Sequence, residues 1–287
     1  MNRMQVARLA NGRLHLNDGP IDLIIACDGR REDVVRAEDA AMARFATILD
    51  ELCTELPLLR GPAGGPPRGD AARRMWRATQ PFATETFITP MAAVAGSVAE
   101  EVLDAMTAAA PLRRAMVNNG GDIAFHLTRG SSYRVGLMDR PDRPSLFATA
   151  GVTFADPIRG VATSGWRGRS FSLGIADAVT VLAASASRAD AAATLIANAM
   201  DLPGHPAIAR APANSRQPDS DLGDRLVTVG VGVLSAREIS IALDAGLKLA
   251  RSFAQRGLIA ACALHLAGET RSLDIVLNRP TEMIAHA

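Results

Sequence analysis

The spacing of apolar positions changes several times along the chain, and each change marks an element. Residues 21–27, IDLIIAC, form a short apolar run suited to a buried strand. Residues 32–56 then switch to helical spacing, with Val35, Ala40, Met42, Phe45, Ile48, Leu49 and Leu52 able to share one face. GPAGGPPRGD at 61–70 continues neither a helix nor a central strand and reads as a loop. Residues 80–90 lead into a helix over 92–109 whose first turns hold small residues, so another group can approach that end closely.

Beyond it the period becomes that of strands. RRAMVN at 113–118, a sharp NGGD turn and IAFHLT at 123–128 read as a hairpin, and YRVGLMD at 133–139 as a third strand. Residues 145–155 and 160–165 add two more. ADAVTVLAAS at 176–185 is ambiguous, since Val-Thr-Val favours strand and its alanines permit helix. Residues 187–200 predict a helix with Ser187 as N-cap and Asp190 in the capping-box position. A second loop spans about 202–223. A strand at 226–234, a helix at 235–256 and strands at 258–268 and 271–278 complete the chain.

Largely sequential strands with interspersed helices predict an α+β fold, a mostly antiparallel sheet layered with helices, rather than a regular βαβ repeat. No sequence repeat of 20–50 residues is visible in the chain. A diverged structural duplication is compatible with the order. The whole of residues 1–287 reads as one domain, interrupted by the loops near 61–70 and 202–223.

Composition narrows the function classes. Lys and Arg total 31 against 30 Asp and Glu, so nothing in the charge calls for nucleic acid or an anionic membrane as partner. At 4% aromatics a base-stacking platform is not expected. The three cysteines, Cys27, Cys53 and Cys262, are far apart and read as small buried apolar residues rather than a disulfide or zinc framework. The start of the chain has no apolar run of signal-peptide length, and no stretch is long enough to span a bilayer. The expectation is a cytoplasmic protein.

Three segments carry candidate chemistry. In VNNGGDIAFHL, Gly120 and Gly121 allow positive φ and a backbone bare of Cβ atoms, with Asn118, Asn119 and Asp122 at the same turn. The same residues also describe a plain hairpin turn. In ADAAAT, Asp190 and Thr194 stand i, i+4 on one helix face, where a carboxylate and a hydroxyl can share a hard cation such as Mg²⁺. They read equally as a capping carboxylate and a surface threonine. In GVATSGWRGRSF, Thr163, Ser164 and Gly165 end a strand, and Arg167 and Arg169 can meet an anionic group or line an exposed basic turn. None of the five histidines pairs with another at ligand spacing, and no Walker A or Rossmann fingerprint is present.

Taken in order, AAVAGSVAEEVLD, VNNGGDI, VATSG, AVTVLA and ADAAAT resemble the ApbE-like superfamily of FAD:protein FMN transferases, in a cytoplasmic branch. The likeness covers roughly residues 86–200. It implies a T-fold-related architecture, FAD as ligand, and Mg²⁺-assisted cleavage of the FAD diphosphate with transfer of FMN to an acceptor protein. By motif position Asp190 and Thr194 would be the metal ligands, with the backbone of Ala93 to Ala95 nearby. Asn118, Asn119, Gly120, Gly121, Asp122, Thr163, Ser164 and Gly165 would hold the nucleotide, and Asp190 and Asp177 would be the catalytic acids. Two family features are absent: a lysine at the helix start, where VAGS stands, and a histidine-bearing segment, where WRGRSFSLGI stands. Besides a flavin-nucleotide enzyme, two readings stay open. One is a T-fold-type enzyme of pterin or other cofactor biosynthesis; the other is a non-catalytic ligand-binding or assembly protein. The resemblance also allows a homo-oligomer.

Overall fold

The computed structural model describes residues 3–61, 65–139 and 146–274. The chain opens with three strands, β1 (Gln5–Arg8), β2 (Leu14–Asp18) and β3 (Ile21–Asp28). Four helices follow: α1 (Arg31–Thr54), a short α2 (Leu56–Leu59), α3 (Asp70–Ala83) and α4 (Val94–Ala109). The last is entered through a 3-10 turn at Pro90–Ala93. The chain then returns to the sheet as β4 (Arg114–Asn119) and β5 (Asp122–Leu127), and leaves it as a separate ribbon, β6 (Ser132–Met138) with β7 (Leu146–Thr153).

The second half repeats this succession. Strands β8 (Gly160–Ser164) and β9 (Ala178–Ala183) precede helix α5 (Ala186–Ala199). A small ribbon, β10 (Ile208–Pro212) and β11 (Leu226–Val231), encloses the short α6 (Ala213–Arg216). Helix α7 (Ala236–Gln255) and the hairpin β12 (Ala261–Leu266) with β13 (Glu269–Leu273) close the described chain. A nine-stranded sheet runs β1-β2-β3-β4-β5-β8-β9-β12-β13, and every neighbouring pair in it is antiparallel. Hairpin, helices, hairpin therefore occurs twice, side by side. The expected antiparallel sheet layered with helices is what the chain builds.

The helices bury one face of the sheet. Under the first half, Ala37, Ala41, Phe45, Ile48 and Leu52 of α1 pack with Leu16, Leu23 and Ile25. Under the second half, Ile196 of α5 and Leu243 of α7 pack with Val179, Val181 and Leu264. The opposite face is covered at its centre by the β6–β7 ribbon, where Leu137 and Val152 meet Phe125, Leu127 and Val161. Strand β9 is accordingly buried at every position. A strand covered on both faces shows no alternation, which is why the pattern over 176–185 left strand and helix open.

Other elements differ from expectation. On α1 the seam is 37, 41, 45, 48, 52, and Val35 is 49% exposed. Helix α3 lies where the sequence pattern predicts no helix; its Ala71, Ala72, Met75, Ala78, Thr79 and Phe82 form a helical seam that Pro81 and the neighbouring glycines disguise. Strands β1 and β2 lie where the sequence pattern predicts no element. The loop at 202–223 contains β10 and α6. The last expected strand, 271–278, runs in part outside the described residues. Cys53 is exposed and Cys27 half-buried; Cys262 alone of the three is buried.

Candidate functional site

The N-terminal turns of α4 and α5 meet, and glycine makes that meeting close. A Cβ on Gly96 would stand 2.4 Å from the Ala186 carbonyl oxygen. Each helix also caps the other. Helix α4 has no side-chain cap of its own, and Asp190 of α5 accepts the Gly96 N–H at 3.0 Å. In return Glu100 of α4 accepts the Ser187 N–H of α5 at 2.6 Å. The local N-cap of α5 is Ser185, which accepts the Arg188 N–H, and not Ser187 as the sequence suggested. That shift by two residues takes Asp190 out of the capping-box position and turns it toward α4.

The β4–β5 hairpin arrives beside this junction. Asn119 pairs with Asp122 across the turn, and Gly120 and Gly121 adopt φ of 64° and 116°. Positive φ at both central positions is the conformation of the two-residue turns that match strand twist, and glycine reaches it without strain. The Asn118 side-chain Oδ1 accepts the Gly121 N–H at 2.8 Å, and the Asn119 side-chain amide donates to the Ala95 backbone carbonyl at 3.2 Å. Asp122 accepts the Thr163 N–H at 3.0 Å, which fixes the end of β8 against β5. The Arg169 guanidinium lies across Gly120, where a Cβ would be 1.9 Å from its Nη2.

These groups enclose two adjoining cavities. One, of 380 Å³, is lined by Asn119, Gly120, Gly121, Thr163, Ser164 and Gly165, together with Arg167. The other, of 260 Å³, extends toward Met91, Arg60 and the 217–222 loop. Ala95, Asp122, Arg169, Asp190 and Thr194 belong to both. Asn118 lines a third space of 300 Å³ behind the turn, shared with Gly121 and Thr163. Each volume lies at the lower end of those that hold small ligands, and adjoining they suit a larger one.

Asp177 lines none of these spaces. It accepts the Arg167 Nε–H at 2.5 Å and the Ala267 N–H at 2.7 Å, so it acts on the cavity through Arg167. Sequence reasoning gave no place to Arg60, Met138 or residues 217–222. Here Arg60 pairs with Asp219 at 2.7 Å and Thr89 with Asp221, closing the loop over the smaller cavity. Their partners lie more than a hundred residues away, and no local pattern encodes that contact.

Electrostatically the site holds two carboxylates that resist ionisation. Burial pushes the Asp122 carboxyl up to about 7, against the Thr163 N–H and the charge of Arg169, which pull it down. Asp190 is raised well above the carboxylate range, by burial first and then by Asp122, although the N–H groups of Gly96 and Ala95 favour its anion. The sign of the pH effect follows. The unfolded Asp122 ionises near ~4, so between there and about 7 the folded chain holds the extra proton. The associated stability is full below the lower value and is lost as pH rises through the upper one. Asp122→Asn should therefore melt above the wild type at pH 8, the gap closing toward pH 4. Thermal midpoints across that range check it, and a gap that widens on acidification would contradict it.

Comparison with known proteins places the chain. The family model described as AbpE bacteria matches residues 5–272. The chain belongs to that family. Within the ApbE-like superfamily it is similar to UPF0280 proteins of archaea. It is 42% identical over 129 residues to one from Methanopyrus kandleri, which is 45% of this chain and 48% of that protein. It is 38% identical over 133 residues to one from Methanococcoides burtonii, 43% of this chain and 51% of that one. The chain thus spans about half the length of the curated relatives it matches. Among solved structures it is similar to the apo form of the Pseudomonas stutzeri flavinyl transferase ApbE. That match covers 94% of this chain and 93% of the other, at 14% identity and a TM-score of 0.42. No helix among the described residues of this AbpE bacteria member is long and apolar enough to cross a membrane.

Proposed function

We propose that this chain is a divalent-cation-dependent enzyme that binds a flavin nucleotide, FAD in the first instance, and transfers FMN from it to an acceptor protein. One observation carries the reading. Three segments far apart in sequence, the 119–122 turn, residues 163–165 and the Asp190–Thr194 pair, line a single cavity in which buried Asp122 and half-buried Asp190 stand as electrostatic neighbours. Family membership gives that arrangement its direction.

The donor set suits Mg²⁺. Among the described residues no three His, Cys, Asp or Glu side chains gather as a metal site. A hard cation takes oxygen ligands of any kind, however, and the Asp190 carboxylate and the Thr194 hydroxyl line the same wall. Placed there, Mg²⁺ would neutralise diphosphate charge and polarise the bond to be cleaved. The chain's own part is positioning. The bare backbone of Gly120 and Gly121 lets a nucleotide approach, and Arg169 and Arg167 face its anionic oxygens. Asp177 keeps Arg167 in place. These arginines occupy the interval where the transferases carry their histidine segment.

The test is incubation of the purified chain with FAD and Mg²⁺, with and without a candidate acceptor, while free AMP and bound flavin are measured. AMP release that depends on Mg²⁺ is the expected result. Absence of both FAD binding and AMP release would end the reading. A second reading rests on a specific observation: among the described residues no histidine lines any of the three spaces. A chain that binds FAD and releases no AMP would be a flavin-binding or assembly protein. A purified chain that retains a pterin would belong to cofactor biosynthesis.

A further inference from the structure

Helix α3, which the sequence did not announce, forms one wall of another cavity, of 440 Å³, that shares no lining residue with the spaces around Asp190. Arg73, Arg74 and Arg77 reach it from α3, and Arg188 from the start of α5. The acidic residues in its lining are Asp70, Glu100 and Glu101.

The charges are unequally satisfied. Arg73 is paired with Asp70. Arg74 is held by Glu100 and Glu101, each at 3.1 Å, and by Asp104 at 2.7 Å. Among the described residues Arg77 and Arg188 have no carboxylate partner. The Nε–H groups of Arg74 and Arg188 are shut off from solvent and meet no acceptor. A buried donor left without an acceptor keeps the whole of its desolvation cost, and a guanidinium suffers more than a neutral group. The first amides of α5 are already spent on Glu100 and Ser185, so the helix terminus is not what would bind. The arginines are. Their planar forks match phosphate oxygens, while the Ser185 and Ser187 hydroxyls and the rim carboxylate of Asp70 suit the hydroxyls of a polyol.

The geometry points to a second ligand site here, for the phosphomonoester of a hydroxyl-bearing small molecule, a sugar phosphate or a nucleoside monophosphate. It is independent of the flavin reading, because none of its residues lies in the first cavity. Ribose 5-phosphate and UMP, neither of them a product of the flavin reaction, distinguish the two sources, and inorganic phosphate measures the anion alone. Each is titrated calorimetrically into the full chain. Ribose 5-phosphate or UMP should bind more tightly than phosphate. Arg77→Gln with Arg188→Gln should weaken that binding by about tenfold or more, the loss of charge-assisted hydrogen bonds. Asp190→Asn should leave it unchanged, and the double variant should keep the wild-type response to FAD. Arg77→Gln alone serves if the double variant does not fold. Three outcomes would overturn the site: no binding of any probe by the wild type, equal binding by the folded double variant, or loss of binding in Asp190→Asn.

Discussion

Asp190→Asn is expected to fold at least as stably as the wild type while losing most of the cation-dependent activity. The two halves of that result have separate causes. An asparagine at 190 still offers a side-chain oxygen to the Gly96 N–H, so the cap that α5 lends to α4 persists. It also removes a charge that burial and Asp122 disfavour. Stability therefore rises, most clearly at pH 8, where the wild-type carboxylates bear the greatest cost. Activity moves the other way. A cation held through this carboxylate supplies several kcal/mol of charge stabilisation, so its loss should lower Mg²⁺-dependent AMP release by about 100-fold or more. Thermal midpoints with and without Mg²⁺ give an independent reading. Mg²⁺ should raise the midpoint of the wild type at pH 8 and leave that of the variant unchanged. A variant that releases AMP at the wild-type rate, or gains the same midpoint from Mg²⁺, would remove Asp190 from the metal assignment.

The parts of this fold that the sequence discloses are those whose cause is local. Asn-Asn-Gly-Gly-Asp announces a tight turn because only glycine takes the φ values found at 120 and 121 without strain. Helix α7 announces itself by its spacing, with Ile239, Ala242, Leu243, Gly246, Leu247 and Ala250 buried in succession. What stays hidden depends on partners remote in the chain. Strand β9 loses its alternation because the β6–β7 side and the α5 side both cover it. Asp190 looks like a capping residue of its own helix, and it caps another one instead. Asp177 has a motif position next to the cavity, yet its carboxylate accepts from Arg167 and from the backbone of Ala267, the latter a contact across 90 residues. Whether a side chain faces a cavity or a neighbour that faces it is decided by tertiary packing, and a motif is silent on that point.

Gly96→Ala should destabilise the junction of α4 and α5. Alanine is the better helix former, by about 1 kcal/mol, and on propensity alone the change would stabilise α4. The packing decides otherwise. The added methyl would lie 2.4 Å from the Ala186 carbonyl oxygen, 2.5 Å from its carbon and 2.7 Å from the Ser187 nitrogen. All three are backbone atoms of the first turn of α5, which is anchored by Ser185 and Glu100 and cannot swing aside as a side chain would. The helices must separate, and overpacking of this kind costs about 1–3 kcal/mol or more. Separation also draws the Gly96 N–H away from Asp190, and Ala95 away from the Asn119 amide that it anchors. The expected net loss is of order 2 kcal/mol, or roughly 5 °C in the thermal midpoint of a chain this long, with ligand affinity falling in parallel. The pattern separates this change from Asp190→Asn, which raises stability as it removes activity. If Gly96→Ala melted at or above the wild-type midpoint, α4 and α5 would not meet as closely as described, and the reciprocal capping that sets the two carboxylates side by side would have to be abandoned.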